Sequence, residues 1–363
     1  MRSGFNPHPG GYAAEKQIPI SKTLLPLVAL ALFSLKGEPV PSEAQLQSLI
    51  LLEKGDTQLG ILAEVGGRPV LLRHASSPNL LFAEPSFWPN ATHLANQSMA
   101  TREWIPFNGH ILWIGPQVDF WNDQDLHPDR RGERWPPDPF LTLMPFEVSA
   151  QSTDSVSLRS PASPVSGLQL EQVIQITEPG KIRLEATATN IRDRAVTKDL
   201  WSNTRLPADA RFFVPIRQPD DVRMDLLGRA PLPTRMEGGF FRFDLEAVQL
   251  HAEGDPWANK AFVTPRLPYI AAFTDHHVFI KCFEPIPSEQ VHPDHAPVEI
   301  YLDLPRSDRT GLLELEAHGP LRTLAPGERM QWWETWWILP YDGPDDAAIQ
   351  QAFLRRWEKG KRA

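Results

Sequence analysis

The stretch Leu168 to Ile191, "LQLEQVIQITEPGKIRLEATATNI", limits the possible folds more than any other part of the chain. Leu170, Gln172, Ile174 and Ile176 share one parity, "EPG" supplies a turn, and Ile182, Leu184, Ala186 and Ala188 resume the alternation. A period of two on both sides of a Pro-Gly turn describes a β-hairpin with one buried face. Further strand candidates are "GGFFRFDL", "YIAAFTDHHVFIKCFEP", "PVEIYLDLP", "GLLELEAHG" and "MQWWETWWILP". Because 37 Pro and 22 Gly keep the apolar runs short, long helices are disfavoured and an all-β sandwich is expected. Only "SEAQLQSLILLEKG" and "DDAAIQQAFLRRWEKGKR" read as helical, the latter with Ala347, Phe353 and Trp357 near helical spacing.

No repeat or low-complexity linker divides the chain, which predicts one β domain over 45–345 followed by a C-terminal helix over 346–363. Residues 1–44 read as a targeting segment. "TLLPLVALALFSL", Thr23 to Leu35, is uncharged but shorter than the roughly 20 residues a membrane span needs, so it suits a signal h-region. Ser42 and Ala44 then fall at the small-residue positions of a cleavage site. On that reading the protein is periplasmic or secreted; without cleavage it is cytoplasmic, and no stable membrane span is expected. A net charge of -9 argues against a nucleic-acid partner, whose binding would come from clustered Lys and Arg. Cys282 is the single cysteine, so no internal disulfide can form. The oligomeric state is not fixed by any sequence feature.

Twelve tryptophans exceed average usage, five of them, Trp88, Trp104, Trp113, Trp121 and Trp135, between Phe87 and Pro136, and the Pro-, Asp- and Trp-rich stretch Thr101 to Phe140 reads as long loops over one face of the sandwich. Aromatic rings suit the C–H faces of a sugar, and polar side chains suit its hydroxyls. The candidate carbohydrate-binding residues are therefore Arg102, Trp104, Trp113, Gln117, Asp119, Trp121, Trp135 and Asp138. The alternative is that the tryptophans anchor the loops. On "LLELEAH", Glu314, Glu316 and His318 share one side of a strand and Leu313, Leu315 and Ala317 the other. Carboxylates two residues apart on a strand lie roughly 7 Å apart, close enough to form an acid/base pair, with His318 completing a proton relay or a metal site. Against this stands a solvated outer row of charges.

"HPDH", His292 to His295, and His276-His277 are weaker ligand-capable sets, and no metal or other cofactor is expected. Hydrolase, zincin, P-loop and dinucleotide motifs are absent from the sequence. In "LAPGERMQWWETWW", Trp332, Glu334 and Trp336 face one way and Trp333 and Trp337 the other, which predicts a central strand covered on both sides. Glu334 would then need a cation or a backbone donor.

"GHILWIGPQVDFW" with "RWPPDP" (Gly109 to Pro139) and "ELEAHGPLRTLAPGERMQWWETWWIL" (Glu314 to Leu339) resemble domain-of-unknown-function family 4380 in the galactose-mutarotase-like superfamily. The likeness runs from about Gly55 to Pro340 and implies a β-supersandwich of large antiparallel sheets. In aldose 1-epimerases the segment similar to "TNIRDRAVTKDLWSNT" ends in a histidine acting as general acid, and a later glutamate acts as base. Here that segment holds Trp201, Ser202 and Asn203 and no histidine. The resemblance thus implies an epimerase-like protein with Glu316 as candidate base, Glu314 and His318 beside it, and Trp201 and Arg205 as candidate sugar contacts. A non-catalytic carbohydrate-binding module and a polysaccharide lyase, with Arg205 or Arg102 neutralising a uronate, remain alternatives.

Overall fold

The computed structural model describes residues 41–75, 77–227, 231–245, 258–274, 276–304 and 311–362; the Thr23–Leu35 segment lies outside them. Leu168–Glu178 and Lys181–Asn190 form the expected hairpin, with Leu170 opposite Ala188 and Ile176 opposite Ile182. Gly180 makes its turn at φ +71°, where a β-carbon would meet the Ile338 carbonyl oxygen at 2.6 Å, so glycine is required there. The even-numbered apolar side chains of both strands are buried, each worth about 1.5–3 kcal/mol when fully covered.

This hairpin lies within a ten-stranded antiparallel sheet, next to Arg329–Pro340, His277–Phe283 and Tyr269–Phe273. A seven-stranded sheet faces it, with Val222–Asp225, Ala258–Val263, Val298–Asp303, Leu312–His318 and Val196–Pro207 in sequence across it. Arg322–Leu324 and His110–Gly115 also pair with Val196–Pro207. Between the two sheets lies one continuous core containing Leu170, Ile174, Leu200, Leu206, Ile300, Leu313, Leu315, Trp332 and Trp336. A three-stranded sheet, Ile50–Lys54, Thr57–Leu62 and Arg68–His74, packs a smaller core with Trp88, Ala95 and Phe107. Among the described residues no helix is long and apolar enough to cross a membrane.

Three local expectations change. "SEAQLQSLILLEKG" is helical only over Glu43–Leu46, capped by Ser42 and Gln45, before Ile50–Lys54 pairs with Thr57–Leu62. The helix Ala91–Thr101 was not expected because it buries small residues, Ala91, Ala95 and Ser98, instead of an apolar stripe. Within the Trp-rich region, His110–Gly115 is a strand. The tryptophan strand Arg329–Pro340 is central, but only its core face is fully covered. On the other face Trp333 is half-buried under Arg183, and Trp337 lies beneath Lys181, Lys361 and the C-terminal helix Ala347–Arg362.

Candidate functional site

Alternation along Val196–Pro207 divides its side chains. Leu200 and Leu206 join the core between the sheets, whereas Trp201 joins a separate cluster on the outer face with Ile111, Trp113, Phe120, Trp121 and Val165. Asp199, Asn203 and Arg205 share the parity of Trp201. The register then places Trp201 opposite His318, Asn203 opposite Glu316, and Arg205 opposite Glu314. On the next strand Glu299 is opposite Glu316. The outer row is therefore not solvated: Glu314, Glu316, His318, Glu299 and Lys260 are all buried.

Trp201 organises the cluster. Its indole N–H donates to Glu316 Oε2 at 2.7 Å, and His318 stacks on its ring at 4.8 Å. Lys260 Nζ is 3.0 Å from Glu316 Oε2 and 2.6 Å from Glu299 Oε2. His318 Nδ1 bonds Asp199 Oδ2 at 3.0 Å, and its Nε2 is 3.3 Å from Glu299 Oε1. Gly115 makes room for Asp199, since a β-carbon there would overlap the carboxylate. His295 bonds Glu299 Oε1 through Nδ1 at 2.8 Å. Arg205 Nε donates to Glu314 at 2.7 Å, and another nitrogen of its guanidinium donates to Asn108 at 3.1 Å.

Glu314 and Glu316 are neighbouring buried carboxyls on one face of Leu312–His318, and each bears on the other's ionisation. Burial drives Glu316 up to about 8 against the pull of Lys260, with Glu314 and Glu299 adding to the rise. Burial works against the His318 imidazolium, yet Glu299 and Asp199 outweigh it and lift His318 to about 9. Burial disfavours the charged form of Glu299 too, but Lys260, His318 and His295 hold it well below the usual carboxylate range. Lys260, His318 and Arg205 thus face four carboxyl groups, and the buried Arg68 guanidinium, held only by backbone carbonyls, lies near Arg205.

His295, Glu299 and His318 bring one ligand-capable atom each within 4.8 Å of one another. Their hydrogen bonding points to a relay. The Gln117 backbone N–H donates to His295 Nε2 at 3.2 Å, which fixes that imidazole's proton on Nδ1, facing Glu299. A metal on Nδ1 would have to expel this proton and set two N–H groups against each other.

The candidate residues divide into two groups. Glu314, Glu316, His318, Trp201 and Arg205 come together, joined by Trp113, Trp135 and Trp104. Trp113 meets Trp201 at 5.0 Å and Trp135 at 5.8 Å, and Trp104 meets Trp135 at 4.9 Å. Gln117 reaches the group through its backbone. The others serve the covering segment. Arg102 pairs with Asp129 in solvent, Asp119 accepts from Asn122, and Trp121 donates to the Pro136 carbonyl with Arg130 over its ring. Asp138 takes Ser163, Ser166 and the Phe140 N–H. Trp113, Trp121 and Trp201 are fully buried, so these rings pack the loops to the sheet. Lys260, Glu299, Asp199 and Asn203 went unrecognised in the sequence, and His295 was marked there only as a member of a weak ligand-capable set. Only His295, in "HPDH", and Glu299, a charge among the apolar residues of "PVEIYL", carried a signal.

Two large antiparallel sheets with this cluster on the outer face of one define a galactose-mutarotase-like fold. Solved structures with that architecture include a putative aldose 1-epimerase from Escherichia coli K12, 13% identical over 81% of this chain and 99% of that one, with a TM-score of 0.50. A galactose mutarotase-like protein from Lactobacillus casei is 12% identical, over 80% of this chain and 100% of that one, at 0.52. An aldose epimerase homologue from C. elegans is 12% identical, over 81% of this chain and 99% of that one, at 0.51. At such identities the likeness concerns the fold. The chain belongs to the family described as domain of unknown function DUF4380, whose model matches residues 47–339. No curated protein matches the sequence.

Proposed function

We propose that the protein binds a sugar over the Glu314–Glu316–His318 row and exchanges protons with it as an aldose-epimerase-like enzyme. The observation that carries this reading is two buried carboxyls side by side in unlike surroundings, Glu314 paired with Arg205 at 2.7 Å and held low against its burial, and Glu316 pushed up to about 8. Pairs of groups whose environments push their pKa values apart are the usual form of an acid/base unit. Anomer exchange needs an acid to protonate the ring oxygen and a base to take the proton from the C1 hydroxyl. The ring C–O bond then breaks as the C1 carbonyl forms, and closure on the other face reverses both transfers. With one carboxyl giving and the other taking, closure returns both to the starting state. Glu316 alone is a poor base near neutral pH because it holds the proton; the pair is the working unit.

The test is NMR exchange spectroscopy of D-galactose and D-glucose anomers. Wild type should accelerate exchange, and Glu316→Gln should lose about 100-fold or more of that acceleration. No acceleration of either sugar would overturn the catalytic reading. A binding module without turnover is the second reading, favoured by the donors already engaged on Glu316; it expects sugar binding that survives Glu316→Gln. The lyase alternative loses its substrate-neutralising cations, since Arg205 is committed to Glu314 and Asn108 and Arg102 to Asp129.

A further inference from the structure

We infer that the guest of this site is an uncharged, hydroxyl-bearing ring, and that two neighbouring hydroxyls of it close on the side-chain amide of Asn203. The inference rests on the sugar-binding reading and adds the chemical class of the ligand and the residue that selects it. Asn203 is fully buried at the centre of the outer face, opposite Ile111 on one side and Glu316 on the other, yet neither its Nδ2 nor its Oδ1 has a hydrogen-bond partner within the protein. The indole N–H groups of Trp104 and Trp113 are also buried without a protein acceptor. These rings belong to the same neighbourhood. Arg205, two residues along the face from Asn203, lies 5.9 Å from the Trp104 ring and 5.6 Å from that of Trp113.

Buried amides are nearly always paired, so one with both ends open calls for an explanation, which the indoles, unpaired also at Trp88, Trp332 and Trp336, do not by themselves. An amide offers one acceptor and two donors side by side, which matches two adjacent hydroxyls, one giving and one accepting. Further hydroxyl oxygens would take the indole protons, and the rings would meet the C–H faces. The pairing of the cations decides against an anion. Lys260 is held by Glu299 and Glu316, Arg205 by Glu314, and His318 by Asp199 and Glu299. A carboxylate or phosphate entering this buried cluster would have to break one of these pairs.

The probes are D-galactose, D-glucose and myo-inositol against D-galacturonate and D-glucose 6-phosphate, measured by saturation-transfer NMR and titration calorimetry on wild type and Asn203→Leu. Expected are binding of at least one neutral probe, none of the anions, and a loss of about tenfold or more in the variant. Leucine nearly matches asparagine in shape and removes two unpaired polar atoms, so the variant should also melt higher than wild type. Wild-type selectivity needs no variant and stands should Asn203→Leu fail to fold. Anion binding in preference to the neutral rings, or neutral binding unchanged in the variant, would overturn the inference while leaving sugar binding intact. Binding of myo-inositol without anomer exchange of any aldose would sustain it and sink the catalytic reading. If none of the five probes binds, both fall.

Discussion

The strand pair Val196–Pro207 and Leu312–His318 carries a buried charge cluster on each of its two faces, and the two are built to opposite ends. Toward the core, Lys281 reaches across from the ten-stranded sheet. Its ammonium lies 2.9 Å from Thr204 Oγ1, 3.0 Å from the Leu315 carbonyl and 3.2 Å from Glu334 Oε2. Because Thr204 accepts from Lys281, its own proton goes to His110 Nδ1 at 2.9 Å, which leaves the other imidazole proton on Nε2, 3.2 Å from Glu334 Oε1. Burial presses His110 down to about 4 despite Glu334, and Lys281 and His110 hold Glu334 low against its own burial. Burial also lowers Lys281, and Glu334 opposes that shift by favouring its ammonium form. On the outer face, burial and neighbouring carboxylates push Glu316 and His318 up to about 8 and 9, into the range where they titrate. Equal burial therefore says nothing of role; the donor inventory does. The inner set fixes one protonation state and ties the sheets together, and the outer set holds a proton it can give up.

The largest effect expected from this contrast lies in the core. Glu334→Leu leaves Lys281 charged between the sheets with no carboxylate, which should cost about 3–5 kcal/mol in denaturant unfolding. Lys281→Met combined with Glu334→Leu should recover most of that loss, since a buried pair replaced by apolar side chains is often neutral or better. A double variant as unstable as the single one would show that the hydrogen bonds to Thr204 and Leu315, more than the charge pair, hold the sheets together.

Next in size is a pH dependence of opposite sign on the two faces. Glu316 and His318 have folded pKa values above their ordinary 4.5 and 6.5, so the folded state binds protons more tightly than the unfolded chain. Their contribution is complete below those ordinary values and is lost as pH rises through about 8 and 9. For His318 alone it is on the order of 3 kcal/mol. His110 behaves inversely, contributing above 6.5 and losing that contribution as pH falls through about 4. Melting temperature should therefore fall most steeply between pH 6.5 and 8, where Glu316 and His318 both titrate. In Glu316→Gln the decline should be shallower. An alkaline limb unchanged by that substitution would mean that Glu316 is already ionised in the folded protein.

Much of the fold was legible because it follows from local period. The Leu168–Ile191 hairpin and the apolar face of "LLELEAH" rest on alternation, and the C-terminal helix on helical spacing, each within one segment. The shared face of Glu314, Glu316 and His318 was legible for the same reason. What surrounds that face was not, because register between distant strands is set by three-dimensional pairing. Nothing near Lys260 or Asp199 in sequence indicates that they meet Glu316 and His318. The tryptophans misled in a more specific way. Composition marks them as sugar-facing, but Trp121 spends its N–H on Pro136 and its ring on Arg130, so it belongs to the loop packing. Glu334 went the other way: the need for a cation was readable from its tryptophan neighbours, and only the structure identifies Lys281.

The smallest expected effect concerns His295, Glu299 and His318. If Gln117 fixes the His295 proton on Nδ1, equimolar Zn²⁺ at pH 7 should leave the melting temperature unchanged, because binding would require removing that proton as well as the one on His318 and placing a dication near Lys260. A metal that bound tightly would raise the melting temperature by mass action, and the rise would disappear in His318→Gln. Such a rise would show that the His295 imidazole turns away from Gln117, and the outer cluster would then be a ligand set that closes into hydrogen bonds when no ion is bound. An unchanged melting temperature supports the relay, in which Glu299 bonds His295 and, 3.3 Å from His318 Nε2, keeps His318 protonated beside the Glu314–Glu316 pair.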